Sequence, residues 1–260
     1  MRDDIQALRA FAVIAVLLFH VDLSFAAGGY LGVDIFFVIS GFVITGLIRR
    51  ELAAGEFSFR KFYIKRVCRI LPASTVTIAV TLLVGALVLA TGDMKYLGAS
   101  SVAALTALSN VHFWQESGYF DEASHLKPLL HTWSLGVEEQ FYLVWPAIMV
   151  FAFRRNRLVL AIAAIGIISL VSAQVFLEAT PDAVFFLMPF RAFEFCAGAI
   201  LHFLPSIRRS APYYAGLVIM TASAALLDSS YPMPGLVSLV PVCGAMLCID
   251  AGEALPWKMP

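Results

Sequence analysis

Four charge-free stretches dominate this chain: Ile70 to Gly92, Leu158 to Leu177, Ser210 to Leu227 and Ser229 to Ile249. Each approaches the roughly 20 apolar residues that an α-helix needs to cross a bilayer. They are apolar on every face, whereas a membrane barrel strand alternates polar and apolar residues over about ten positions. Inside lipid a helix satisfies its own backbone, so a helical bundle is the expected fold. Composition agrees, because 60% hydrophobic and 14% charged residues exceed what one soluble core holds. The expectation is an all-α polytopic membrane protein.

Basic residues set the orientation, since short cytoplasmic loops collect Lys and Arg. The segment 49–69 holds seven of them: Arg49, Arg50, Arg60, Lys61, Lys65, Arg66 and Arg69. Placing it in the cytoplasm makes span 7–27 run outward, 31–48 inward and 71–91 outward. Arg154, Arg155 and Arg157, then Arg208 and Arg209, mark two more cytoplasmic loops. Those loops require spans at 135–153, 158–177, 184–204, 211–227 and 235–250. The stretch 97–114 is rich in Ala, Ser and Thr, and a full crossing there would invert everything after it. It is therefore expected to be re-entrant or interfacial, which gives eight full spans and a cytoplasmic amino terminus.

The first apolar segment, followed by Ala26-Ala27-Gly28, has the outline of a secretory signal. Many spans follow it, so it is read as an uncleaved first span. Cys68, Cys196, Cys243 and Cys248 show neither a CxxC spacing nor a metal-ligand spacing, and no metal site is expected.

Charged residues at membrane depth mark function by default. Arg9 and His20 stand in the first span, about 16 Å apart along a helix at 1.5 Å per residue. The plain alternatives are a snorkelling Arg and a core His bonded to a carbonyl. In the second span, Asp34 is expected at a depth that His20 can reach, where a carboxylate would fix the imidazole tautomer; its alternative is a helix cap. Gly32, Gly41 and Gly46 in that span are expected to permit close helix packing. Glu138 and Glu139 point about 100° apart on a helix, so only one can serve a given point. Arg191 and Glu194 share a helix face by i,i+3 spacing, as substrate ligands or as an ion pair that fixes packing. Arg66 and Arg69 likewise share a face, and two guanidinium forks suit phosphate or anionic lipid headgroups.

Taken in order, Arg9-x10-His20, GVDIFFVISGF at 32–42, RVCR-ILP at 66–72, HTWSLGVEEQFYLVWP at 131–146 and RAFEFCAGA at 191–199 resemble the acyltransferase 3 family of membrane O-acyltransferases. Each motif alone is weak; five in order are specific. The resemblance implies one membrane acyltransferase domain over 1–260. It implies transfer of an acetyl or other short acyl group from acyl-coenzyme A to a carbohydrate hydroxyl in O-antigen, peptidoglycan or exopolysaccharide. His20 would be the base or acyl relay with Arg9 below it, and Arg66 and Arg69 would hold the coenzyme A phosphates. His20, Asp34 and Glu138 or Glu139 would line a polar path. Ser40, His131, Trp133, Ser134, Tyr142, Arg191 and Glu194 lie in the matching motifs and join as candidates for substrate or donor binding.

The implied partners are acyl-CoA as donor substrate, with no permanently bound cofactor, a carbohydrate acceptor and the lipid bilayer, and no nucleic acid. The implied location is the bacterial cytoplasmic membrane. Members of the family continue past the point where this sequence ends, so the chain is expected to be C-terminally truncated. A secondary transporter or channel would also explain charges at depth, but it predicts repeated halves with interrupted helices, which the sequence does not show. An inactive membrane scaffold is the other alternative.

Overall fold

A computed structural model describes residues 2–21, 23–117, 127–207, 209–228 and 230–254. Among the described residues the fold is all-helical, with no strand. The chain divides into two compact units, 1–50 with 149–185 and 189–260, and 51–148 with 186–188.

The first unit contains α1 (Asp3–His20), α2 (Gly32–Ala53), α7 (Leu158–Phe176), most of α8 (Pro181–Phe186), α9 (Met188–Ile200), α10 (Ala211–Leu226) and α11 (Leu239–Ala251). Its centre is α2, whose apolar span is 67% buried, against 17% for α7. Helix α2 meets α9 at backbone distance. A Cβ on Gly41 would strike the Phe195 carbonyl, and one on Gly198 would strike that of Val38, so only glycine fits at either place. Phe37 stacks on Phe195 with ring centroids 4.6 Å apart beside that crossing. Gly32 lies against the α1 backbone at Ala12, and Gly46 makes room for the His202 ring. The packing role expected of these glycines is the one they have.

The second unit contains α3 (Phe59–Val88), α4 (Thr91–Leu105), α5 (Ser109–Glu116) and most of α6 (Thr132–Arg154). Helix α3 starts at Ser58, whose side chain accepts from the Lys61 amide as an N-cap. Its apolar span is only 11% buried, and Val76, Val80, Leu83, Val84, Leu87 and Val88 are exposed. In a membrane protein that face meets lipid.

All eight expected spans coincide with helices, yet among the described residues four segments are long and apolar enough to cross a membrane: Gly29–Ala53, Phe59–Val88, Leu158–Phe176 and Pro181–Phe203. Helices α10 and α11 are apolar but shorter. Helix α1 carries Asp3, Asp4 and Arg9, and α6 carries Glu138 and Glu139, which lower their hydropathy. Two boundaries differ from expectation. The first helix stops at His20 instead of running to 27, and 3-10 turns at Ser24–Ala26 and Gly29–Leu31 lead into α2. The stretch 97–114 is no single helix: it breaks between α4 and α5, where Ala107 adopts a positive φ of 59°.

A third difference is an interruption at Leu187, between α8 and α9, in a span expected to be continuous. Pro189 has no N–H and so releases the Phe185 carbonyl from the helical ladder. Four backbone groups around the break have side-chain partners. Arg191 Nε donates to the Phe185 carbonyl at 3.0 Å, and Asn110 Nδ2 donates to that of Phe186 at 3.2 Å. Ser169 inserts its hydroxyl into the first turn of α9, donating to the Pro189 carbonyl at 2.6 Å and accepting from the Phe193 amide at 3.0 Å. An unsatisfied backbone group at membrane depth costs several kcal/mol, about as much as these bonds prevent.

Candidate active site

Sequence-selected residues assemble into a buried group in the first unit and a half-exposed group in the second. In the first, Arg191 Nη1 donates to Asp34 Oδ1 and to Glu194 Oε1, each at 3.0 Å. Asp34, Arg191 and Glu194 are 3%, 2% and 0% exposed. The guanidinium also lies over the Phe185 ring, 5.0 Å from its centroid. The i,i+3 ion pair expected of Arg191 and Glu194 therefore exists, enlarged by a carboxylate 157 residues away in α2. Ser238, fully buried, faces the Asp34 carboxylate without reaching hydrogen-bond geometry. Ser40, also expected as a ligand, is 5% exposed on α2.

His20 is the last residue of α1 and is exposed. Its Nδ1 lies 2.8 Å from the Val16 carbonyl oxygen, which can only accept, so Nδ1 carries a proton and, in the neutral ring, Nε2 holds the lone pair. The tautomer expected of Asp34 is thus set by the backbone of α1. Asp34 is engaged by Arg191, which corrects the expected His20–Asp34 pairing. Arg9, half-buried on α1, reaches Gln6 Oε1 at 3.4 Å.

In the second unit, Arg66 of α3 lies over the Tyr142 ring of α6 at 5.9 Å and over its own neighbour Phe62 at 5.7 Å. The Tyr142 hydroxyl donates to Glu138 Oε1, one turn earlier. Tyr63 binds the Leu143 carbonyl at 2.8 Å and ties the same two helices. The 66–72 and 131–146 motifs thus meet through Arg66, Tyr142 and Glu138. Arg69, one turn further along α3, is exposed, so the two arginines do not share one environment. Glu139 is half-buried beside Glu138. Around the start of α6, His131 is exposed, Ser134 donates to the His131 carbonyl at 3.3 Å, and Trp133 packs edge-on against Phe186.

Several polar residues escaped the sequence reading. Asn110 and Gln140 exchange amide hydrogen bonds of 3.3 and 2.7 Å, and Gln140 also donates to the Ala107 carbonyl at 3.0 Å. Their separation of 30 residues leaves no local signal. His202 donates from Nε2 to the Phe42 carbonyl at 2.7 Å and stacks on the Phe42 ring, while Arg49 binds the His202 carbonyl at 2.9 Å. The break at Leu187 did have a signal: Pro189 inside an apolar run. Outside the spans, Asp228 accepts from the Ser230 hydroxyl and amide, which hold its carboxyl below the usual carboxylate range. Among the described residues no group of three or more His, Cys, Asp or Glu gathers as a metal site would require.

Comparison with known proteins accords with this picture. The family model for the Acyltransferase domain (Acyl_transf_3) matches residues 2–249. Peptidoglycan O-acetyltransferase OatA of Listeria monocytogenes is 35% identical over 216 residues, covering 80% of this chain and 35% of that protein. O-acetyltransferase OatA of Staphylococcus aureus is 36% identical over 172 residues, covering 65% of this chain and 28% of that protein. An uncharacterized protein of Haemophilus influenzae is 35% identical over 177 residues, covering 65% of this chain and 72% of that one. The chain spans about a third of the length of the OatA proteins. No solved structure matches it. With a membrane-type helical fold, five ordered motifs and a family match over nearly its whole length, the chain belongs to the acyltransferase 3 family.

Proposed function

We propose that this protein is an O-acyltransferase of the bacterial cytoplasmic membrane. It moves an acetyl or other short acyl group from acyl-CoA to a hydroxyl of a cell-envelope carbohydrate, with peptidoglycan, which the Listeria relative's name gives, as the first acceptor to try. The observation that carries the reading is His20 itself. Its Nδ1–H is committed to the Val16 carbonyl at the end of α1, and Nε2 stays available as a base.

In the proposed step the acceptor oxygen attacks the thioester carbon while Nε2 takes the hydroxyl proton. The C–O bond forms, the C–S bond breaks, and the coenzyme A thiolate leaves and takes the proton back from the imidazolium. Arg66 and Arg69 hold the donor phosphates, Arg66 with its guanidinium steadied over Tyr142 and Arg69 from the exposed side of α3. The amino terminus and the 49–69 segment lie in the cytoplasm, where the polyanionic donor is.

Membranes containing the protein, supplied with acetyl-labelled acetyl-CoA, are expected to transfer label to envelope carbohydrate. Label that stays on coenzyme A would overturn the reading. Reporter fusions at Ala54 and Asn156, in the turns that follow α2 and α6, are both expected to report cytoplasm; an external signal at either would reverse the orientation.

A further inference from the structure

In the Asp34–Arg191–Glu194 cluster two buried carboxylates share one guanidinium, and one oxygen of each is left without a hydrogen bond. Arg191 Nη1 spends its two N–H groups on one oxygen of each carboxylate, and Nε goes to the Phe185 carbonyl. Asp34 Oδ2, Glu194 Oε2 and Ser238 Oγ, all in residues at least 97% buried, have no hydrogen-bond partner among the described residues. Two carboxylates against one guanidinium leave a formal charge of −1, and an uncompensated buried ion costs several kcal/mol. The amino-terminal end of α9, where Arg191 sits, offers a partial positive charge of about half a unit. That end offsets only part of the excess. Ser238, the hydroxyl that faces Asp34, adds a donor but no charge.

We propose that this cluster is a buried proton-binding site, in which one exchangeable proton is held by the carboxyl groups of Asp34 and Glu194 through the two oxygens that Arg191 leaves unbonded. The ionisable groups that face it are Arg191 and Glu194 from α9, Asp34 from α2 and the Tyr30 phenol from the turn before α2. A proton fits better than a metal ion. Hard cations such as Ca²⁺ take six or more oxygen ligands, and here a guanidinium already occupies the shared side of both carboxylates. The site is at membrane depth, where paired ionisable residues serve proton storage and relay. It stands independently of the acyl-transfer reading.

Infrared spectroscopy of the wild-type protein in membranes at neutral pH tests this. The expected result is a protonated-carboxyl C=O stretch that moves to lower frequency in D2O and stays when sodium replaces potassium. Ser238→Ala is expected to move that band by removing the neighbouring hydroxyl, and Asp34→Asn or Glu194→Gln to abolish it. Absence of the band in the folded wild type, its loss on adding sodium, or its persistence unchanged in all three variants would overturn the proposal. Because the wild-type and Ser238→Ala measurements leave the ion pairs in place, poor folding of the carboxylate variants does not remove the test.

Discussion

Two arginines, Arg66 in α3 and Arg191 in α9, show how burial divides similar chemistry. Arg191 is 2% exposed and is fully committed to carboxylates, a backbone carbonyl and an aromatic face. Arg66 is half-buried, lies over Tyr142 and Phe62, and its neighbour Arg69 faces solvent. A buried ion pair broken on one side leaves a stranded charge, so Arg191 is bound to the integrity of the α2–α9 contact. An arginine at a half-exposed edge can exchange water for a ligand without stranding anything. The same side chain thus serves architecture in one place and, in the proposed function, recognition in the other.

The sharpest way to break this comparison is through His20, which is exposed and should be dispensable to folding. His20→Ala is expected to accumulate normally and to lose about 10²- to 10⁴-fold in acyl transfer, the usual effect of removing a general base. Loss of the folded protein, with residual activity tracking its amount, would return His20 to a structural role. Arg191→Ala should do the opposite. It strands two buried carboxylates and should cost about 3 to 5 kcal/mol of stability, read as a lower melting temperature and lower yield in detergent. A variant as stable as the wild type but inactive would move Arg191 from architecture to chemistry.

The second group separates within itself. Arg66→Ala is expected to weaken donor affinity by roughly tenfold to a hundredfold, from about 1.5 to 3 kcal/mol per charge-assisted contact, in a titration of acyl-CoA against rate. Arg69→Ala should have a smaller effect that fades as salt rises, because its charge is screened by solvent. Equal effects of the two substitutions, both insensitive to salt, would show that their different burial has no consequence for binding.

The smallest effect is expected outside the spans. Asp228 has a folded value depressed by Ser230, so its contribution to stability is present above the unfolded carboxylate value and is lost as pH falls through the folded one. In a thermal-stability profile Ser230→Ala should therefore lower stability slightly at neutral pH and leave it unchanged at acid pH, where the protonated carboxyl no longer contributes. An equal loss at acid pH would show that the turn does more than hold this carboxylate.

Much of this was legible in the residues because membrane helices obey local rules. The eight helical segments follow from apolar run length, the packing glycines from their place in apolar runs, and the Arg191–Glu194 pair from i,i+3 spacing. Where local signals conflict, reading in one dimension failed. The end of α1 at His20 lies inside an apolar stretch, and the break at Leu187 follows from Pro189 only when the released Phe185 carbonyl is counted. Asp34 illustrates the limit. Its depth and charge were readable, but its partner was set by the α2–α9 crossing that Gly41 and Gly198 allow, so Arg191 and not His20 receives it.

By itself, then, the sequence determined the helical membrane class, the family and the roster of charged residues, since hydropathy, charge and motif order are properties of a line. Only the tertiary structure decided which charges meet, which carbonyl each donor serves and which residues are left facing solvent. Those outcomes depend on contacts between segments more than a hundred residues apart, as between Asp34 and Arg191, whose helices cross closely at Gly41 and Gly198.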